Sequence, residues 1–243
     1  MSQNPNILVV VPRLNIGGAE VCAATTALGL HSRNYNVTVA SWGGQLAEML
    51  KAAGIKHHLV PVRLNAYLVS LLLTPIIKKN KIDLVHAHAA AAASAALISC
   101  QKLNIPLIYT AHGAFGLTKK EQNLRQADKI ICVSESLRQT TIERGFKQDN
   151  LTVLYNGIDY VKFAPRPAEG AAVRQQLGIP AQAFVLGIIS RIRNLNGKGH
   201  GDILQMLKKY QNQHDWHLLV LGKGNGLAEV KGMAKKLGLA GKV

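Results

Sequence analysis

Seven short aliphatic runs alternate with longer segments of helical period through residue 155, and this alternation limits the fold more than any single motif. The runs are Ile7–Val11, Val37–Ser41, His57–Val60, Leu84–His86, Leu107–Thr110, Lys129–Val133 and Leu151–Tyr155. Most are short and aliphatic or β-branched, the pattern of strands covered on both faces. Helical segments fall between them at Gly18–Leu30, Gln45–Ala53, Tyr67–Lys79, Ala89–Lys102 and Glu135–Arg144. Strands and helices in this order build a parallel sheet with helices on both sides, so a doubly wound α/β domain is expected. The run AAAAASAALISC, residues 89–100, is a strong helix former whose small side chains let it lie close on such a sheet.

The texture changes over NGIDYVKFAPRPAEG, residues 156–170, which carries two prolines and two glycines and lacks a helical period. It reads as a linker. The alternation then restarts: a helix near 171–177, strand Phe184–Ser190, helix Gly201–Gln213, strand His217–Leu221 and helix Leu227–Leu237, with GKV at 241–243 opening a third strand. Two parallel strands are too few for a complete sheet. The expectation is a Rossmann-like domain over residues 1–165 and the first part of a second, incomplete one over 166–243.

Lys and Arg number 29 against 13 Asp and Glu, a formal net charge of +16. So basic a chain implies an anionic partner. The cations are scattered and aromatics make up only 5% of residues, unlike a nucleic-acid binder that interleaves the two. Nucleic acid is therefore not expected; phosphorylated small molecules or an anionic membrane surface fit better. Cys22, Cys100 and Cys132 form no CxxC pair and no His/Cys cluster has zinc spacing, so they read as free thiols in a reducing cytoplasm, and no metal is expected. The polar start MSQNPN has no signal-peptide layout. The apolar stretch Leu64–Ile77 is too short to span a bilayer and contains Pro75. It reads in part as a core helix, and Lys78, Lys79 and Lys81 after it also suit a membrane-facing end.

Several turns carry chemistry. In VLGIISRIRNLNGKGHG, residues 185–201, an apolar strand ends in Arg191, Arg193 and Lys198 among Asn and Gly, a place to hold phosphate. PRLNIGGAE follows the first strand; Gly17 and Gly18 either let backbone amides approach an anion at a helix start or serve a tight turn. No GxGxxG and no P-loop is present. His112 in LIYTAHG stands at the carboxyl end of a strand, the edge where open α/β sheets bind ligands. DLVHAH places His86 and His88 on one face of a strand, with no further metal ligand near in sequence. Ser134 in VSESL reads first as a helix cap. Gly222, Gly224 and Gly226 in LGKGNG suit either close approach of a nucleotide or a flexible turn.

In their order and spacing over nearly the whole chain, these pieces resemble retaining glycosyltransferases of the GT-B fold, glycosyltransferase family 4 or "glycosyl transferases group 1". The matching residues are Gly17-Gly18-Ala19-Glu20, DLVHAH at 83–88, AHG at 111–113, VSES at 133–136, NGID at 156–159 with Phe163 following, SR at 190–191, KGH at 198–200 and LGKG at 221–224. The resemblance implies two facing Rossmann-like domains, the first for the acceptor and the second for a nucleotide-diphosphate sugar. It implies donor-phosphate contacts from Gly17, Gly18, Arg191 and Lys198, a catalytic place for His112 beside the transferred sugar, and further cleft contacts from Glu20, Ser134, Gly222 and Gly224. It implies no metal and no cofactor beyond the donor substrate, with retention at the anomeric carbon. A saccharide or lipid-linked acceptor in cell-envelope polysaccharide or lipopolysaccharide synthesis fits the charge, in the cytoplasm and peripherally on the inner face of its membrane.

Two departures from the family stand out. Its Lys follows the strand-end Arg by five residues, whereas Arg191 precedes Lys198 by seven and Arg193 by five. Arg191 is preferred because it directly follows the apolar strand. The family's donor-binding E-x7-E pair lies beyond the stretch matched here. The resemblance thus implies a carboxyl-terminally truncated hexosyltransferase, or alternatively an inactive remnant that binds acceptor lipid or an anionic membrane.

Overall fold

A computed structural model describes residues 4–113 and 122–243; the first three residues of the MSQNPN start lie outside them. The chain forms two compact units, Met1–Ile158 and Asp159–Val243. Residues Leu154 to Gly170 are exposed throughout, and the sequence-based division at 165 falls inside that connector.

In the first unit, β1 (Asn6–Val10), β2 (Asn36–Ser41), β3 (Lys56–Leu59), β4 (Leu84–His88), β5 (Leu107–Ala111), β6 (Lys129–Cys132) and β7 (Leu151–Val153) form one sheet in the order β3-β2-β1-β4-β5-β6-β7. Every pairing is parallel. Helices α1 (Gly18–His31), α2 (Gln45–Ala52), α3 (Ala66–Lys79), α4 (Ala90–Leu103) and α5 (Glu135–Glu143) connect them. The period of two along β1 divides its side chains between two cores. Leu8 and Val10 pack with Val69, Leu73, Val85, Ala92 and Ala96. Ile7 and Val9 pack on the opposite face with Ala23, Ala27, Val39 and Leu50. Both faces are thus covered, as the uninterrupted aliphatic runs require.

The alanine run forms most of α4, and Ala92, Ala93, Ala95 and Ala96 are fully buried. Small side chains also line its contact with α3. The Ser99 hydroxyl donates to the Ser70 carbonyl at 3.1 Å and the Thr74 hydroxyl to Ser99 Oγ at 3.1 Å. Asn65 caps α3 by accepting from the Tyr67 amide at 2.9 Å. Val69, Leu73 and Ile77 give α3 its buried face, while Leu64, Tyr67, Leu68, Leu71 and Leu72 are exposed.

In the second unit, β8 (Phe184–Ile189) pairs parallel with β9 (Trp216–Leu221), joined by α7 (His200–Lys209) and flanked by α6 (Pro167–Gln176) and α8 (Leu227–Lys236). Its core holds Ile192, Leu204, Leu207, Trp216, Leu218, Val230 and Ala234. Two sequence expectations change here, and one strand is more exposed than its apolar run suggests. The linker reading ran to residue 170, but Pro167 is the first residue of α6, because a proline at a helix start forfeits no hydrogen bond. β8 is covered on one face: Leu186 and Ile188 pack on the core, whereas Ile189 is 81% exposed. Residues 241–243 are not a strand; the Lys242 carbonyl accepts a single bond from the Leu218 amide.

Candidate functional site

The strand order reverses between β1 and β4, where chains leaving the two carboxyl ends turn opposite ways. Open α/β sheets bind ligands at that switch point. The turn after β1 is pinned from the side by the turn after β2. The Trp42 amide donates to the Pro12 carbonyl at 3.2 Å, Leu14 to Gly43 at 2.8 Å and Leu46 to Leu14 at 2.8 Å. Gly44 makes this approach possible. Its φ is +134°, and a Cβ there would sit 2.6 Å from the Asn15 amide nitrogen. Sequence reading passed over Gly44; a Gly-Gly pair just past the second strand was the available signal.

The pinned turn delivers Gly17 as the N-cap of α1 and Gly18 as its first residue. Gly17 has φ −172°, extended backbone open to any residue. A Cβ at Gly18 would meet nothing within 4 Å. Neither packing nor conformation demands glycine at Gly18, so the tight-turn explanation does not account for it. What the pair leaves is the unpaired amides of a helix start without side chains over them, an anion-favouring surface. Glu20 stands in the same first turn.

Three histidines meet at the ends of β4 and β5. His86 and His88 share one face of β4, with ring centroids 4.4 Å apart. His86 Nε2 bonds the Thr110 hydroxyl at 2.7 Å. His112 immediately follows β5; its Nε2 lies 3.0 Å from His88 Nδ1, with the rings stacked. Burial holds all three below the usual imidazole range: His86 at about 4, His88 at about 2, and His112 lowered against an opposing pull from the Glu20 carboxylate. They are therefore neutral at physiological pH and act as hydrogen-bond partners or ligands rather than charges. Glu20 and His112 are thus brought together across about 90 residues of sequence.

The residue after His88 is strained. Ala89 has φ 72° and ψ 146°, a region nearly reserved for glycine, as it turns the chain from β4 into α4. Such strain persists only where surroundings hold it, and here it sits beside the histidine cluster. Cys22, on the second turn of α1, joins this cluster. One ligand atom each from Cys22, His88 and His112 lie within 4.8 Å of one another. These residues are too far apart in the chain for spacing rules to find; the sequence around DLVHAH shows no further ligand, and the fold brings two from elsewhere to His88.

In the second unit, Arg191 and Arg193 are exposed on either side of Ile192, which is fully buried and anchors the loop. Asn194 Oδ1 accepts from the amides of Asn196 at 3.1 Å and Gly197 at 2.7 Å, folding the loop back toward exposed Lys198. Gly199, at φ 80°, then opens α7. The LGKGNG glycines have a structural reason. The Ile192 amide donates to the Lys223 carbonyl at 3.0 Å and the Gly226 amide to the Ile192 carbonyl at 3.1 Å. A Cβ at Gly222 would collide with the Ser190 carbonyl, and one at Gly224 with that of Ile192. Gly222 and Gly224 therefore let two strand-end loops lie backbone to backbone, and the cationic loop is held in place by that contact. Ser134 is the N-cap of α5 and its oxygen accepts from the Leu137 amide at 3.2 Å, the helix-cap role.

A doubly wound parallel sheet, a helix start at its switch point and a second α/β unit with a cationic strand-end loop are those of the GT-B fold class. The sequence profile of glycosyltransferase family 4 matches residues 16–162, and the chain belongs to that family. It is 25% identical over 131 residues to the UDP-Gal:alpha-D-GlcNAc-diphosphoundecaprenol alpha-1,3-galactosyltransferase of Escherichia coli, covering 48% of this chain and 34% of that protein. It is 23% identical over 214 residues to D-inositol 3-phosphate glycosyltransferase of Mycobacterium tuberculosis, covering 78% of this chain and 43% of that protein. The chain thus spans well under half the length of these relatives. Its fold is similar to that of HepE from Anabaena in complex with UDP, with a TM-score of 0.82 at 21% identity over 98% of this chain and 68% of that one. A glycosyltransferase from Rickettsia africae gives a TM-score of 0.80 at 21% identity, over 98% and 67%.

Proposed function

We propose that this chain serves a glycosyl transfer in which a sugar passes from a nucleoside diphosphate to an acceptor hydroxyl with retention of configuration. The observation that carries the reading is that α1, whose start has bare amides at Gly17 and Gly18, brings Glu20 and Cys22 to His112 at the switch point, in a chain of family 4. The amides suit a donor phosphate. His112, neutral and half-buried, suits a hydrogen bond to the transferred sugar. In the second unit, Arg191 and Lys198 suit the diphosphate whose negative charge grows as the sugar leaves. The bond from the anomeric carbon to the diphosphate breaks, the bond to the acceptor oxygen forms on the same face, and the acceptor proton passes to the departing phosphate. No metal or cofactor enters this scheme.

The donor is read as a UDP-sugar, since HepE binds UDP and UDP-glucose. The acceptor is read as a lipid-linked saccharide at the cytoplasmic membrane, since the E. coli relative acts on a diphosphoundecaprenol and WaaB is a lipopolysaccharide galactosyltransferase. The exposed stripe Tyr67, Leu68, Leu71 and Leu72 on α3, edged by Arg63, Lys78, Lys79 and Lys81, supports attachment to an anionic surface. Among the described residues no helix is long and apolar enough to cross a membrane.

The test is release of UDP from UDP-galactose and UDP-glucose with a polyprenyl-diphosphate-sugar acceptor in anionic vesicles. Wild-type chain is expected to release UDP with a product of retained configuration, and His112→Ala to lose roughly 100-fold or more in rate. Wild-type chain that releases no UDP from either donor overturns the reading.

A further inference from the structure

We propose that Cys22, His88 and His112 form a binding site for a zinc-class ion at the carboxyl edge of the first sheet. Their three ligand atoms converge within 4.8 Å from three different elements. Two imidazole nitrogens on one tetrahedral zinc, each at about 2.0–2.1 Å, stand roughly 3.3 Å apart. His88 Nδ1 and His112 Nε2 are already 3.0 Å apart, so an ion replaces their hydrogen bond with little movement of either ring. A thiolate completing the set at about 2.3 Å requires the Cys22 sulfur to shift by about 1 Å, within the reach of its side-chain torsion.

His88 reaches the cluster through Nδ1, and its other nitrogen, Nε2, faces away from it without a hydrogen-bond partner among the described residues. The residue is fully buried. Its ring is held by packing, by the neighbouring His86 ring and by one hydrogen bond, through Nδ1 to His112, an unusual state for a buried polar side chain. One thiolate and two imidazoles are borderline-soft donors that select zinc over magnesium or calcium. Three protein ligands leave a fourth position for water or another oxygen ligand. As the ion binds, the Cys22 thiol proton passes to solvent and the proton shared between the two facing imidazole nitrogens moves to the outer nitrogen of its own ring. Because the ion occupies His112, it takes that side chain away from the sugar, a consequence that rests on the function proposed above. The ion is then an inhibitor of transfer rather than its cofactor.

Cobalt(II) titration of tag-free, metal-stripped full chain tests the site, because a tetrahedral thiolate site gives intense visible bands and a near-ultraviolet sulfur-to-cobalt band. We expect one cobalt per chain, displacement by zinc, and loss of the sulfur band in both Cys22→Ser and Cys22→Ala, whose far-ultraviolet circular dichroism should match wild type. His112→Ala should lose the tetrahedral spectrum. Absence of tetrahedral bands in the wild type, or a sulfur band that survives both Cys22 variants, overturns the site. Where UDP release is measurable, zinc should inhibit wild type and leave Cys22→Ser uninhibited. Inhibition equal in both overturns the regulatory consequence, and a chain without transferase activity still gives the spectral answer.

Discussion

Ala89 is the residue at which local preference and tertiary demand conflict most openly. A Cβ in the left-handed region costs about 1–2 kcal/mol, and glycine recovers that at the expense of roughly 0.5–1 kcal/mol of unfolded-chain entropy. Ala89→Gly is therefore expected to raise the urea midpoint, by up to about 1.5 kcal/mol in stability; a lowered midpoint would show that the backbone there is unstrained. The alanine run around it was legible as a helix, but its first residue was not legible as strained, because nothing local to AAAAA records that β4 must turn through a left-handed step. His112 was legible as a strand-end residue because strands end where aliphatic runs end. Its partners His88, Glu20 and Cys22 were not legible as a group, since only the order of strands in the sheet brings them together.

The loops and helices show what spacing can and cannot reveal. The strand after the linker and its cationic loop were read from an apolar run meeting Arg191 and Lys198, yet the apolar run is not buried throughout, since Ile189 is exposed. The LGKGNG glycines were open between ligand approach and flexibility, and the fold supplies a third reason, backbone stacking on the loop from Ser190 to Asn194. Gly224→Ala, with a Cβ driven into the Ile192 carbonyl, should cost the second unit about 2–3 kcal/mol. Hydrogen exchange should then show β8 and β9 losing protection while β1 and β4 keep theirs; equal protection in all four would contradict the stacking. For α3, Leu68→Glu with Leu71→Glu places two anions on the exposed apolar stripe without touching Val69, Leu73 or Ile77. Vesicles containing phosphatidylglycerol should sediment wild type at low salt and release it as salt rises, while the double variant stays in solution. Sedimentation of both alike would remove α3 from any membrane role.

At the scale of the whole molecule, the histidines tie stability to pH. Burial lowers His57, His58, His86, His88 and His112 alike, with His86 reaching about 4 and His88 about 2. Unfolded, each takes a proton near pH 6.5. Between there and its lowered value the unfolded chain binds more protons, so folding stability is complete above about pH 6.5 and falls as pH drops. For His86 and His88 the slope approaches about 1.4 kcal/mol per pH unit each, ending for His86 near pH 4 and continuing for His88 below it. Urea midpoints of metal-stripped protein should decline steadily from pH 7 to pH 5, and a flat profile over that range would refute the linkage.

The strand order also dictates a timetable for biosynthesis. β1 is an interior strand of the sheet, and one of its two edges pairs with the central strand β4, so that Leu8 waits for Val85. At about 5–20 residues per second on the ribosome, that edge stands open for roughly 4–15 s after β1 is made. During this interval the nascent chain has only β2 and β3 beside β1, with Leu8 and Val10 uncovered on the face that α3 and α4 will later occupy. The same crossover that gathers the histidines at one edge therefore leaves an apolar strand edge open in the early nascent chain, and places completion of the β1–β4 pair after residue 85 leaves the exit tunnel.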